Sequence, residues 1–143
     1  MPGPKIRRRA RERACQFLFG LDFTRYDWRD AIAGFWTAAP SRPGVKRYAE
    51  YLVRGVMEHL PELDAAVANA LENWAPERIG YIERNVIRVA LFEMIHAPDV
   101  PDAVAINEAI EVARQFGSED APRFVNGVLD RLKGSTASQE PAP

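Results

Sequence analysis

The chain has one cysteine, Cys15, so no intrachain disulfide can brace it. A lone thiol suits a reducing cytoplasm. No stretch approaches the ~20 consecutive apolar residues that a membrane-crossing helix needs. The N-terminus is basic, but no short apolar run with a small-residue cleavage site follows it. Asp22, Arg25 and Asp27 stand there instead. No membrane contact and a cytoplasmic location are therefore expected. Glycine-rich phosphate loops are also missing: neither a P-loop nor G-x-G-x-x-G occurs. There is no G-x-S-x-G turn, and Ser41, Ser118, Ser135 and Ser138 fall in breaks, caps or the tail. The only two histidines, His59 and His96, fall at expected helix ends, where a cation suits the helix dipole better than a metal does. Glu108 and Glu111 share a helix face, but no histidine completes a Glu-x-x-His ligand pair. No catalytic residue, cofactor or metal is expected, and the chain is read as a binding protein.

A length of 143 residues fits one domain with a core of its own. The formal net charge is only −1, which hides an uneven distribution. Lys5, Arg7, Arg8, Arg9, Arg11 and Arg13 crowd the first 13 residues against Glu12 alone, leaving 13 basic and 19 acidic residues beyond. A basic end on an acidic body marks a localised anion-binding element. Arginine adds a planar fork that grips phosphate bidentately and stacks on bases. A charge run is often just a solvated helix face, and by itself this one supports nucleic-acid binding only in general terms.

The apolar spacing is helical nearly throughout, and strand alternation is not sustained anywhere. Ala10, Ala14, Phe17, Leu18 and Leu21 make one face of a first helix that starts near Pro4. A short helix is expected around Asp30–Trp36, then a break at Ala39–Gly44. Helices follow over Val45–His59, from Pro61 to a stop at Trp74 and Pro76, over Ile82–His96, over Val104–Phe116, and from Pro122 to about Leu132. Gly117 is placed as the C-terminal cap of the sixth. The fold class is all-α with about seven helices. The domain is residues 1–133, with 134–143 a disordered polar tail. One oddity is Asn126-Gly127 inside the last helix, since glycine there costs about 1 kcal/mol relative to alanine. Close helix packing at Gly127 is the simplest explanation. Phe124, beside Arg123, suits either the core or a stacking face for RNA bases.

Four stretches together resemble the NusB family of bacterial transcription antitermination factors. They are Arg7-Arg-Arg-Ala-Arg-Glu12 with Ala14 and Gln16; Asn73-Trp74 with Arg78-Ile79 and Ile82 through Met94; Val100-Pro101 with Val104 through Ala113 and Phe116-Gly117; and Phe124-Val-Asn-Gly-Val-Leu-Asp130. The resemblance spans almost the whole chain and is weakest over residues 22–44. It implies a NusB-like fold of two packed helical subdomains. It implies binding of single-stranded boxA RNA in ribosomal RNA leaders, together with the small-subunit ribosomal protein NusE. The pair would join the RNA polymerase elongation complex with other Nus factors. By position, the RNA surface would be Arg7, Arg8, Arg9, Arg11, Gln16, Asp120, Arg123, Phe124 and Asn126, and the NusE surface Phe19 and Glu83. Phe19 stands where the family often has tyrosine, Glu83 where aspartate is frequent, and Arg123 where lysine is. Four to five neutralised phosphates would give a log–log salt slope of about −3 to −3.5. The other readings are a helical adaptor or homodimer without RNA contact, and a fragment related to the N-terminal domain of a ribosomal RNA cytosine methyltransferase.

Overall fold

The computed structural model describes residues 3–72, 75 and 78–137, with side chains as far as Lys133. Among these residues there are seven helices and no strand: α1 Pro4–Leu21, α2 Trp28–Ala38, α3 Pro43–Glu58, α4 Leu60–Ala70, α5 Tyr81–His96, α6 Asp102–Phe116 and α7 Ala121–Ala137. Proline occupies the first turn of α1, α3 and α4, where its missing N–H leaves no bond unmade. Asp27 caps α2 by accepting from the Arg29 amide at 2.8 Å, which starts that helix two residues before the expected Asp30. The fourth helix's expected stop at Trp74 and Pro76 lies outside the described residues. The last helix runs to Ala137, past the expected end at Leu132; residues 138–143 also lie outside the described residues.

The apolar stripes explain the packing. α1 lies along α3, with α2 against it, and α5 lies among α4, α6 and α7. α1 and α3 then pack onto α5, so the two halves share one core. α5 is the axis of that core: Asn85 through Glu93 are buried in an unbroken run. A helix buried all round must carry its polar groups paired. Accordingly Arg88 holds Asp64 of α4 through two 2.9 Å bonds, and Asn85 donates to Asp22 at 2.7 Å and to the Tyr81 carbonyl at 2.8 Å. Asp22, just past α1, also accepts from Arg84 at 2.8 Å.

Two glycines are set by space. A Cβ on Gly55 of α3 would fall 2.1 Å from the Phe92 ring, so glycine lets α3 close on α5. Gly117 does follow α6, but with φ −95° and ψ −178° it is extended, not left-handed. Its glycine is required because a Cβ would meet that of Ala121 at 2.6 Å and the Ala113 carbonyl at 2.8 Å. Cys15 is buried in α1, and burial pushes its thiol well above the usual range, which leaves it inert as a nucleophile. No helix among the described residues is long and apolar enough to cross a membrane.

Candidate nucleic-acid interface

The arginines of α1 divide by the helical period into three directions. Arg7 and Arg8 point across to the C-terminal half. Arg7 meets Asp99 at 2.6 Å and lies over the Tyr48 ring, 4.9 Å from its centroid. That contact holds the Asp99 carboxyl below its ordinary range. Arg8 reaches Glu108 of α6 at 2.9 Å, yet its side chain stays 59% exposed. Arg9 turns the other way and pairs with Glu12 at 2.7 Å. With Lys5, Arg13 and Arg42 it lines a cleft of about 310 Å³ between α1 and the start of α3. Gln16 is half-buried and accepts from Arg13 at 3.1 Å.

Arg11 takes a third direction, inward. The residue is only 4% exposed. Its Nε and Nη2 grip the two oxygens of buried Glu93 at 2.8 and 2.9 Å. Tyr48 donates to the same carboxylate at 2.6 Å. Burial is the largest influence on the Arg11 guanidinium and opposes its charge, but the hydrogen bond and charge of Glu93, with Tyr48 and Glu108, together outweigh it and raise the group's affinity for its proton. Burial and the Glu93 charge together push the Tyr48 hydroxyl upward, so it stays a donor. Arg11 is thus a core residue in this structure; it was expected outside because it stands in a basic run and was carried over with its neighbours by position from the family resemblance.

The far end of the chain presents a second group. Asp120, Arg123, Phe124, Asn126 and Gly127 are exposed, while Ala121, Val125, Val128 and Leu129 of the same helix are buried. Phe124 is a large ring left 39% exposed beside a packed core. It forms a wall between two hollows. One, about 620 Å³, also has Arg123, Gly127, Arg131 and Ile79. The other, about 290 Å³, has Asp120, Glu83, Ser118 and Arg78. Arginine helix and Phe124 strip therefore line different hollows, with α6 packed against both helices.

Gly127 does not serve close helix packing: nothing lies within 4 Å of where its Cβ would stand. The expectation of a tight helix crossing there is overturned. Gly127→Ala should then gain about 0.5–1 kcal/mol of stability, the ordinary helix-interior difference. Denaturant melts would check this; a loss of stability would mean that α7 packs more tightly there than the open surface suggests.

The two residues expected on a protein-partner surface differ. Glu83 is half-buried with its carboxylate beneath Gly80, and it opens onto the hollow that holds Asp120 and Phe124. Phe19 is 8% exposed and packs edge-on against Tyr81 at 6.0 Å and Phe116 at 5.9 Å, so it belongs to the core. The exposed rings are its neighbours: Phe23 is 71% and Tyr26 74% exposed, and Phe23 stacks edge-on against Tyr81 at 4.8 Å. Both lie just past α1, where the family-like pattern fades. The signal that could have found them was two aromatic residues in a polar turn.

The model of the NusB family matches residues 8–133 of this chain. A curated relative from Trichlorobacter lovleyi, the transcription antitermination protein NusB, is 38% identical over 135 residues, covering 94% of this chain and 95% of that one. The structure of NusB from T. maritima aligns with a TM-score of 0.82 at 34% identity, covering 94% of this chain and 93% of that one. A chain from the antitermination factors NusB and NusE in complex with double-stranded RNA aligns with a TM-score of 0.83, covering 93% of this chain and 99% of that one. At 23% identity, that last likeness speaks for the fold.

Proposed function

The chain belongs to the NusB family, and from that premise we propose that it is a transcription antitermination factor that binds single-stranded boxA RNA together with NusE. The observation that carries the RNA reading is the exposed Asp120–Gly127 strip, with a phenylalanine ring left out of an otherwise packed core. Phe124 offers a face on which a splayed base stacks, and Asp120 and Asn126 offer polar groups that discriminate between base edges. Arg123, Arg8 and Arg9 supply phosphate contacts, and Lys5, Arg13 and Arg42 extend the basic surface beside Arg9. Arg7, held by Asp99 and lying over Tyr48, and Gln16, which accepts from Arg13, are the remaining expected contacts. Arg11 acts from beneath, by fixing α1 against α5. The working unit in this reading is the domain expected over residues 1–133, which α7 extends to Ala137.

The NusE surface is Glu83 with Tyr81 and Phe23, and Phe19 supports Tyr81 from the core. Exposed aromatic rings are enriched at protein interfaces. The complex works in the cytoplasm, on the RNA polymerase elongation complex with other Nus factors.

Losing Arg11 from the phosphate contacts changes the expected salt dependence. Three to four neutralised phosphates give a log–log slope of about −2 to −3 for single-stranded RNA. Titrating labelled boxA and a scrambled control against salt, with and without NusE, measures it. A slope near zero removes the arginine helix from the interface, and equal binding of the scrambled RNA removes sequence recognition.

A further inference from the structure

The structure joins the two histidines that lie far apart in the sequence. His59 caps α3 at its C-terminus, and His96 is the last residue of α5. Their rings stack with centroids 4.1 Å apart. Between them lies Glu62, in the first turn of α4. His59 Nδ1 is 3.1 Å from one carboxylate oxygen and His96 Nε2 is 2.9 Å from the other. One ligand atom from each residue lies within 4.8 Å of the other two.

We propose that His59, Glu62 and His96 form a site for a divalent transition ion of the zinc class, clamping the α3–α4 junction to the end of α5. Two imidazoles and one carboxylate suit such ions, whereas magnesium and calcium call for oxygen ligands. Donors around a zinc ion lie about 3.3 Å apart, given bond lengths of about 2.0–2.2 Å. Each histidine nitrogen already lies near that distance from an oxygen of the Glu62 carboxylate, His59 from one oxygen and His96 from the other. The three ligand atoms have to close only from within 4.8 Å, and all three side chains are partly open to solvent. Solvent access also supplies water for the remaining positions of the ion.

The scaffold beneath is closely packed. Phe92 faces both rings, at 6.0 Å from His59 and 5.4 Å from His96, and is itself wedged into the space that Gly55 leaves. The ligands therefore come from three packed helix ends, not from a loop. Ligands separated in sequence by α4 and most of α5 tie down a long segment when one ion joins them. The inference does not depend on RNA binding, which uses other surfaces.

The test is a calorimetric titration of tag-free full chain with zinc chloride, repeated for His96→Gln and Glu62→Gln. His96→Gln can keep a hydrogen bond to Glu62 but loses the metal ligand. One equivalent of zinc is expected, with affinity weakened at least tenfold in each variant. The melting temperature should rise with zinc and stay unchanged with magnesium. Cobalt should give visible d–d absorption that His96→Gln abolishes. No heat with zinc up to ~1 mM, or binding that both variants retain, overturns the site.

Discussion

Glu93→Gln should lower the stability of this protein by about 3–5 kcal/mol, the toll of leaving a buried guanidinium with only the more distant Glu108 carboxylate, 3.8 Å away, to balance it. Domains of this size are stable by only about 5–15 kcal/mol, so the melting temperature should fall by on the order of 10 °C. The reason lies in the geometry around Arg11. Both of its nitrogen contacts and the Tyr48 hydroxyl converge on one carboxylate that is 1% exposed. Glutamine keeps the shape but removes the charge that balances Arg11, and it turns one acceptor into a donor facing another donor. Thermal and denaturant melts measure the loss. A change under about 1 kcal/mol would mean that Arg11 escapes to solvent when released.

The companion variant separates stability from RNA contact. Arg11→Met with Glu93→Leu and Tyr48→Phe replaces the polar cluster by apolar groups of similar volume. Such replacements are often neutral or stabilising by about 1–4 kcal/mol, since two charges no longer need desolvation. This triple variant should therefore fold and should bind boxA with its salt slope unchanged. If the slope instead flattens by about 0.7, the increment for one phosphate on a single strand, Arg11 reaches RNA after all.

The sequence was most legible where helical period and chain direction were enough. The run Ile82–His96 reads as a buried helix because apolar residues occupy nearly its whole circumference, and α5 is the axis of the core. Carry-over by family position failed at Arg11 and Phe19, and the helical stripe gave no warning of it. A stripe of Ala10, Ala14, Phe17, Leu18 and Leu21 describes a helix covered on one side. α1 is instead packed by α3, α5 and α6, so the buried arc widens to take in Arg11, Cys15 and Phe19. No local pattern reveals that Arg11 has a partner 82 positions away. The two histidines posed the same problem. Each reads correctly as a helix end, but their meeting at Glu62 depends on how α3 and α5 cross. Gly127 failed differently: a glycine inside a helix suggests crowding, and only the packing shows open space. The α7 strip was legible as a pattern because exposed and buried positions alternate there with the helical period.

In the function proposed above, that strip is the part that discriminates between RNAs, and Phe124→Ala is the substitution that tests it. Base–aromatic stacking is worth about 1–3 kcal/mol by alanine substitution, so boxA affinity should fall by roughly 5- to 150-fold. The ring is 39% exposed, so part of it also covers the core, and some stability will go with it. Phe124→Leu controls for that: it keeps the apolar cover and removes only the π-face. Both variants should keep their helical circular dichroism. Salt dependence separates the ring from its neighbour. Removing a stacking contact lowers affinity by the same factor at every salt concentration, whereas Arg123→Ala should also flatten the slope by about 0.7. If Phe124→Leu binds boxA as tightly as the parent, the ring is only a core residue at the surface. Discrimination then has to come from Asp120 and Asn126, whose polar groups face the same solvent without any stacking partner to hold a base in place.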